Sequence, residues 1–335
     1  MGETGGPALS TPQRRSGLDA ARFIAVLGIV WLHCWNWEYH DRPDRFGRFA
    51  VPFFVVSSVY MMCRSLERRR RGYAAYAMSR IGRLYLPFLA WSCVYYLLIN
   101  ASHYFLLHEP LQGLKLYLWF VGPAAHLWFL PFLLGVNLIF YPICGWLVAR
   151  PKLALPVALA AVVLGLAWMK TPQPRYSRAP DEYSDVARGE YFANAAWNAM
   201  PSVFFGIFLA FVPEKWIRRL GPPGLVGTGA LLILIYQGGR NIFLENLSGL
   251  SWAIFGVESD GAWTRPVAKF GRFAYGIYLA HYMLVQLFHV ILVQNRIQPT
   301  TALILGSFVG VTLITLLIVK GLSLSRWTRW TIGII

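Results

Sequence analysis

The first long apolar stretch of the chain carries an arginine and a histidine, Arg22 and His33, in the segment LDAARFIAVLGIVWLHCW. Eleven residues are nearly a whole number of helical turns, so both side chains are predicted on one helix face, roughly 16 Å apart along the axis. Histidine titrates near neutral pH, which suits a general base. An ionisable residue within a membrane span favours a functional role. The alternative is a histidine that is only hydrogen-bonded within a helix bundle.

Three more charged residues lie where apolar segments begin. Asp19 precedes Arg22 by three residues and could pair with its guanidinium group, or it could only stabilise a helix N-terminus. Arg80 and Arg83, in SRIGRLYLPFLAW, are three residues apart and are predicted to face the same way. Two such guanidinium groups suit a phosphate-bearing ligand, and the alternative is ordinary cytoplasmic anchoring.

Four residues are weaker candidates for a site that binds a second substrate. His126 opens AHLWFLPFLL and His281 lies in GIYLAHYMLVQLF, and each could be a polar site residue or a satisfied core group. Trp128 is most simply a packing aromatic. Glu245 could orient a polar acceptor, pair with Arg240, or lie at the membrane interface.

Composition predicts an all-α, polytopic integral membrane protein. The chain has 335 residues, of which 56% are hydrophobic and 14% charged, against about 25% charged in soluble domains. Residues 1–17 are predicted to form a polar N-terminal segment, 18–322 a transmembrane domain and 323–335 a C-terminal tail. We predict ten spans, at 18–37, 49–66, 84–101, 125–148, 153–169, 195–213, 224–240, 242–257, 272–293 and 301–322.

The formal charge of +16 follows membrane topology rather than nucleic-acid binding. Basic residues crowd the loop after the second span, and such loops stay in the cytoplasm, so both termini are predicted to be cytoplasmic. The residues concerned are Arg64, Arg68, Arg69, Arg70, Arg71, Arg80 and Arg83.

The first apolar stretch lacks a clear cleavage site, so we expect it to remain as a membrane anchor. The four cysteines are not paired at metal-ligand spacing, and we expect neither disulfides nor a metal site. The sequence contains no phosphate-binding loop, zinc pair or nucleophile elbow.

Several of these segments together resemble the acyltransferase-3 family of integral membrane proteins. The matching segments are LDAAR with FIAVLGIVWLH, SRIGRLYLP, HLWFLPFLL and FGRFAYGIYLAHYMLVQLF, in order and spacing, over about residues 14–320. Arg22 followed by ten residues and His33 is similar to the first-helix signature of the family. Arg80-x-x-Arg83 is similar to its cytoplasmic arginine pair. LDAARFIA lacks the glycines that often surround the first arginine.

The resemblance implies an O- or N-acyltransferase in the bacterial cytoplasmic membrane. It implies transfer of an acyl group, commonly acetyl, from cytoplasmic acyl-CoA to a carbohydrate, glycolipid or other envelope acceptor. Acyl-CoA is then a co-substrate, and no bound cofactor is expected.

We therefore expect acyl-CoA phosphates at Arg80 and Arg83, with Arg22 positioning the donor and Asp19 orienting Arg22. His33 would act on the acceptor hydroxyl as a general base or as a transient acyl carrier. The loop 170–194 could cover the acceptor.

A rival hypothesis is a transporter or exporter of a glycan, lipid or small metabolite, because embedded charge also suits a proton-coupled carrier. The sequence shows no inverted repeat that would favour a carrier. A third hypothesis is a non-enzymatic protein in which His33 only rigidifies the bundle. Acceptor identity, acyl group and oligomeric state stay open.

Overall fold

The computed structural model describes residues 16–35, 42–68, 72–107, 110–172, 185–238, 241–259, 261–262 and 264–334. All regular structure within these ranges is helical, which confirms the predicted all-α fold. The α-helices are, in chain order, α1 Ser16–Trp35, α2 Ala50–Arg68, α3 Tyr73–Arg80, α4 Leu86–Ser102, α5 Phe129–Val148, α6 Pro151–Trp168, α7 Asp185–Phe211, α8 Glu214–Gly238, α9 Ile242–Glu258, α10 Thr264–Gly271, α11 Ala274–Gln294 and α12 Thr301–Leu324.

Within the described residues, nine helical stretches are long and apolar enough to cross a bilayer. They correspond to nine of the ten predicted spans, so the polytopic membrane fold is confirmed. The remaining predicted span, 242–257, forms α9, which has 17 residues and is therefore at the short limit for a spanning helix. Because α9 packs against α1, α2, α7 and α8, neighbouring helices cover much of its surface.

Two helices begin well before the predicted spans. α7 starts at Asp185 rather than at 195, and α8 starts at Glu214 rather than at 224. The early turns of both helices are polar, so an apolar window does not detect them, although polar residues form helical hydrogen bonds equally well. The predicted loop 170–194 is thus partly helical, and its residues 173–184 lie outside the described ranges, as do Arg69, Arg70 and Arg71.

Helix α1 lies inside the bundle and contacts α2, α9, α10, α11 and α12. Its approach to α9 is close: a Cβ atom added at Gly256 would lie 2.7 Å from the Cβ of Ala21. The Trp252 indole N–H also donates to the Ala21 carbonyl at 3.1 Å. Small residues allow this approach between membrane helices, where packing and hydrogen bonds drive association. These contacts fix the helix that carries both Arg22 and His33.

The bundle has two ends, which matter for the sites described below. At the first, the Arg80 end, α1 begins and packs on α10, and the Tyr275 hydroxyl at the start of α11 donates to the Leu84 carbonyl at 3.5 Å. Helices α1, α4 and α11 all begin here, so their C-terminal halves point to the opposite end. We call that end the Arg188 end, because Arg188 lies there in the first turn of α7. The cytoplasmic position of the termini stays a prediction.

The four cysteines all lie within described helices and are free thiols. Cys63 on α2 and Cys144 on α5 are buried, and their Sγ atoms are 2.8 Å apart. Cys34 is also buried, whereas Cys93 is exposed on α4. Three of the four therefore pack within the bundle.

Candidate active site

Three histidines from separate segments converge at the C-terminal end of α1. His33 belongs to α1, His281 to α11, and His126 to a 3₁₀ turn, Ala125–Trp128, that precedes α5. The His281 ring centroid lies 5.3 Å from that of His33 and 5.2 Å from that of His126. The His33 and His126 centroids are 6.1 Å apart. His126 and His281 are buried, while His33 is partly exposed to a cavity.

Tyrosines from α4 and α11 surround the histidines. The Tyr282 ring centroid is 5.0 Å from that of His33 and 4.9 Å from that of His126. The Tyr278 hydroxyl donates to the His126 backbone carbonyl. This bond attaches the 3₁₀ turn to α11, so the position of His126 depends on α11 as well as on its own segment.

The Tyr95 hydroxyl bridges two backbone groups of α11. It donates to the Leu279 carbonyl at 2.8 Å and accepts from the Met283 N–H at 3.1 Å. These two backbone groups are four residues apart and would bond each other directly in a regular α-helix. Helix α4 therefore supplies a hydroxyl to the backbone of the very turn that carries His281 and Tyr282.

Backbone contacts fix the tautomer of His281. Its Nδ1 lies 2.8 Å from the Tyr278 carbonyl oxygen and 3.0 Å from the Ile277 carbonyl oxygen. Because a carbonyl oxygen only accepts, Nδ1 carries the hydrogen and Nε2 carries the lone pair. Nε2 is buried and has no hydrogen-bond partner among the described residues. His281 thus presents a nitrogen lone pair beside the other two histidines.

A cavity of about 820 Å³ adjoins the cluster at the Arg188 end. It lies between the C-terminal halves of α4 and α11, and its size is within the usual range of roughly 300–1,000 Å³ for small-molecule sites. The polar side chains in its wall are His33, Tyr95, Ser102, Arg188, Tyr282, Gln286 and His289.

Other walls of the cavity are apolar and reach the outer surface of the bundle. Leu98 and Phe105 on the α4 side, and Leu287 on α11, line the cavity and are exposed. Among the described residues that line the cavity, none carries a carboxylate. The cavity therefore combines an imidazole cluster, tyrosine hydroxyls and one guanidinium group with an apolar opening.

Asp19 and Arg22 form an ion pair at the other end of α1. The Arg22 Nη1 to Asp19 Oδ1 distance is 3.4 Å, and the two side chains are 27% and 8% exposed. The pairing that the sequence suggests is therefore present. The two residues lie at the Arg80 end, away from the cavity, and their roles in the reaction stay predictions.

Arg80 and Arg83 lie close in the chain but in different environments. Arg80 ends α3, and its guanidinium carbon is 5.0 Å from the centroid of the Tyr76 ring, whereas Arg83 is exposed. Arg83 belongs to a π-helical turn, Ile81–Tyr85, that joins α3 to α4. A π turn contains more residues than an α turn, so a three-residue spacing falls further short of one full turn than it does in a regular α-helix.

Trp128 and Glu245 do not line the cavity. The Trp128 ring is buried and packs on Phe132 at 5.7 Å between centroids, so it supports the turn that holds His126. Glu245 lies 3.9 Å from Arg48, measured between Oε1 and Nε. Its suggested partner Arg240 lies outside the described residues.

The fold thus brings together three of the predicted residues, His33, His126 and His281, and adds residues that the sequence did not single out. The sequence did not mark Tyr95 as a candidate, because aromatic residues are common in membrane spans. A hydroxyl that bonds the backbone of another helix leaves no pattern in the neighbouring sequence. Arg188 fell within the polar stretch interpreted as a loop. The sequence feature that could have marked Arg188 is a basic residue shortly before an apolar helix. Such a residue fits a position at the membrane interface equally well.

The geometry suits proton transfer from an acceptor group in the cavity to an imidazole. His33 adjoins both the cavity and two further imidazoles, and a general base must lie within hydrogen-bond reach of the proton it takes. Within the described part of the chain, no group of three or more His, Cys, Asp or Glu residues is arranged to hold a metal ion.

Comparison with known proteins identifies the family of the chain. The family model described as an acyltransferase domain matches residues 15–320, nearly the whole chain. Searches of curated proteins and of solved structures give no significant match. A match of this extent includes α1 with His33, the turn with His126 and α11 with His281, and the chain therefore belongs to the acyltransferase-3 family of membrane acyltransferases.

Proposed function

We propose that the protein transfers an acyl group, by default acetyl, from cytoplasmic acyl-CoA to a hydroxyl or amino group of an envelope carbohydrate or glycolipid. The membrane in question would be the bacterial cytoplasmic membrane. The observation that carries the proposal is the position of His33, which belongs both to the histidine cluster and to the wall of the cavity.

Acyl transfer needs a base for the acceptor. In the direct route, His33 takes the acceptor proton while the acceptor oxygen attacks the thioester carbonyl, and the C–S bond then breaks. The CoA thiolate leaves and takes up a proton to become the free thiol. In the covalent route, an imidazole nitrogen of His33 first receives the acyl group and then passes it to the acceptor. Both routes release one CoA thiol for each acyl group transferred.

The donor side of the proposal involves the Arg80 end. Arg80 and Arg83 would hold the CoA phosphates, because guanidinium groups bind phosphate oxygens bidentately. Arg22, paired with Asp19 at 3.4 Å, would position the pantetheine arm or a phosphate. The spacing from Arg22 to His33 is roughly 16 Å along α1, a distance that a long, narrow donor could bridge.

The acceptor side of the proposal is the cavity at the Arg188 end. Its volume of about 820 Å³ exceeds that of one sugar ring, and its tyrosine hydroxyls could orient a hydroxyl-bearing acceptor. His281 and His126 would position His33 or share its proton, since ring centroids of all three lie within 6.1 Å. Family membership favours this transferase over the transporter hypothesis.

The proposal is tested in membranes that contain the wild type, His33→Ala or His103→Ala at matched levels. His103 is the matched control, because it lies at the same end of α4 but does not line the cavity. The membranes receive acetyl-CoA labelled on the acetyl group, and both free CoA thiol and label in envelope glycans are measured.

We expect the wild type and His103→Ala to transfer label with matching CoA release. His33→Ala should lose a factor of about 10²–10⁴ in rate, the usual contribution of a general acid or base. Full transfer by His33→Ala would remove His33 from the reaction. A wild type that moves glycan without releasing CoA thiol would support a transporter instead.

A further inference from the structure

The C-terminal segment, residues 325–334, folds back onto the bundle after α12. It contains a 3₁₀ turn, Arg329–Ile332, that contacts α4, α11 and α12. The segment follows residues 15–320, the part of the chain that matches the family model. Family membership alone therefore assigns it no role, and its role has to be inferred from its contacts.

Two contacts hold the C-terminal segment against the bundle. The Trp91 indole N–H on α4 donates to the Thr331 carbonyl at 3.0 Å. The Ile332 side chain is buried and packs on Gly276, where an added Cβ atom would lie 3.1 Å from the Ile332 Cβ. Gly276 lies in the first turn of α11, which begins at the Arg80 end. The C-terminal segment therefore occupies a fixed position at that end of the bundle.

One tyrosine side chain separates the C-terminal segment from the π turn that carries Arg83. The Tyr275 hydroxyl donates to the Leu84 carbonyl at 3.5 Å, and Leu84 is the next residue after Arg83. On the other side, a Cβ atom added at Gly333 would lie 2.6 Å from Tyr275 Cδ1. Gly333 has φ +73°, in the left-handed region that glycine adopts readily. The backbone of the segment can therefore approach the tyrosine ring closely.

Arg329 lies beside this contact. The Ile334 N–H donates to the Arg329 carbonyl at 3.1 Å, so the chain folds tightly from Arg329 back to the residue after Gly333. The Arg329 side chain is exposed. The C-terminal segment thus adds a guanidinium group to the end of the bundle at which Arg83 would hold a donor phosphate.

Coenzyme A carries phosphate at two positions of one ribose ring. A diphosphate is attached to the 5′ oxygen and leads to the pantetheine arm, and a separate monophosphate is attached to the 3′ oxygen. A phosphate monoester carries about −1.5 to −2 charges near pH 7. A guanidinium group binds such an anion with two parallel hydrogen bonds. A donor site that holds the diphosphate with one pair of arginines therefore has a second, nearby anion to bind.

We propose that Arg329 binds the 3′-phosphate of the acyl-CoA donor, while Arg80 and Arg83 hold its diphosphate. This inference rests on the proposed acyltransferase function and adds a donor specificity: thioesters of CoA are preferred over those of dephospho-CoA. Arg326 has no such role, because it precedes the 3₁₀ turn and its guanidinium carbon lies 5.0 Å from the centroid of the Trp327 ring.

The test compares two donors that differ only in the 3′-phosphate. The full chain is purified into phosphatidylcholine nanodiscs and given an envelope glycan extract of the host cells. The donor is acetyl-CoA or acetyl-dephospho-CoA, each labelled on the acetyl group. The KM and kcat for each donor are measured from thiol release and label transfer. The variants are Arg329→Gln, Arg329→Lys and, as the matched control, Arg326→Gln, which removes the same charge from the same segment.

We expect the KM of the wild type to be at least tenfold lower for acetyl-CoA than for acetyl-dephospho-CoA, which corresponds to ~1.4 kcal/mol. Arg329→Gln should raise the KM for acetyl-CoA to that for acetyl-dephospho-CoA, because the lost contact involves only the 3′-phosphate. Arg329→Lys should keep part of the preference, since an ammonium group binds phosphate as a point charge without the planar fork. Arg326→Gln should keep all of it.

Equal KM values of the wild type for the two donors would overturn the inference, and this measurement does not depend on the folding of any variant. A preference that survives in Arg329→Gln would overturn it as well, and so would an equal loss of preference in Arg326→Gln. In each case label transfer by the wild type leaves the acyltransferase proposal standing. A wild type that transfers no label and releases no thiol from either donor would instead refute the proposed function itself.

Discussion

Replacing Tyr95 with phenylalanine removes one oxygen atom and tests how the active site is assembled. The hydroxyl bonds the Leu279 carbonyl at 2.8 Å and the Met283 N–H at 3.1 Å. Without it, these two backbone groups of α11 have each other as the nearest replacement partners, because they are four residues apart in a helix. The turn that carries His281 and Tyr282 would then shift against His33.

The magnitude follows from the bonds that change. Two hydrogen bonds worth about 0.5–1.5 kcal/mol each are lost, and one backbone bond within α11 replaces them. The net loss in unfolding free energy should therefore be about 1 kcal/mol, between the average of about 0.6 kcal/mol and the maximum of about 1.7 kcal/mol measured for hydrogen bonds between membrane helices. The rate should fall more steeply, because a misplacement of about 1 Å in an active site can cost about 10²-fold.

The assay compares Tyr95→Phe with Tyr96→Phe in membranes and in detergent. Tyr96 is the matched control: it is the next residue of α4, and its hydroxyl donates to the Gln112 carbonyl at 2.5 Å rather than to α11. Thermal unfolding gives the stability, and single-turnover CoA release gives the chemical step. We expect similar, small losses of stability in both variants. Only Tyr95→Phe should lose kcat, by about tenfold to a hundredfold.

A Tyr95→Phe enzyme with the kcat of the wild type would refute the reasoning, since the hydroxyl would then have no part in placing α11. Equal losses of kcat in both variants would also refute it, because the effect would reflect a general loosening of α4.

Two further predictions concern residues away from the cavity. Arg80→Gln and Arg83→Gln should each raise the KM for acetyl-CoA about tenfold, with little change in kcat. A tenfold rise is the effect of losing one charge-assisted contact of about 1.5 kcal/mol. Unchanged KM values in both variants would show that the pair has no part in donor binding. Asn246→Ala leaves the buried Ser202 hydroxyl, now donating to Asn246 Oδ1 at 2.6 Å, without that acceptor, and should lower the unfolding free energy by about 1–2 kcal/mol. Thermal unfolding checks this loss, with Asn295→Ala, at the exposed residue that follows α11, as control. A stability equal to that of the control would contradict the prediction.

Much of the fold could be predicted from the sequence, because a span needs about 20 apolar residues and leaves a clear hydropathy signal. The predicted spans 125–148 and 301–322 agree to within four residues at each end with α5, Phe129–Val148, and α12, Thr301–Leu324. The starts of α7 and α8 could not be predicted in this way, since polar turns at a helix end carry no hydropathy signal. The π turn before α4 depends on hydrogen-bond geometry that sequence spacing does not encode.

The sequence identified the histidines as candidate site residues, but it did not predict that they lie together. Each histidine is visible as a polar residue in an apolar stretch, but their meeting depends on the packing of α11 and the 3₁₀ turn against α1. Tyr95 and Arg188 became candidates only once the hydrogen bonds and the cavity wall were known. Such relations join residues that are far apart in the chain, so no local pattern reveals them.

The continuous helical stretch from Tyr73 to Phe105 has a consequence for the lipids around the protein. Its 33 residues measure about 50 Å at 1.5 Å per residue, against a hydrocarbon core of about 30 Å. Even a tilt of 40°, the upper end of the usual range, would not fit the whole stretch into the core. Arg83 lies roughly 33 Å from Phe105 along the axis, slightly more than the thickness of the core, so we expect Arg83 at the depth of the phospholipid headgroups. Acidic headgroups and the proposed donor phosphates would then compete for the same guanidinium groups, so the apparent affinity for acyl-CoA should fall as the acidic lipid content of the membrane rises.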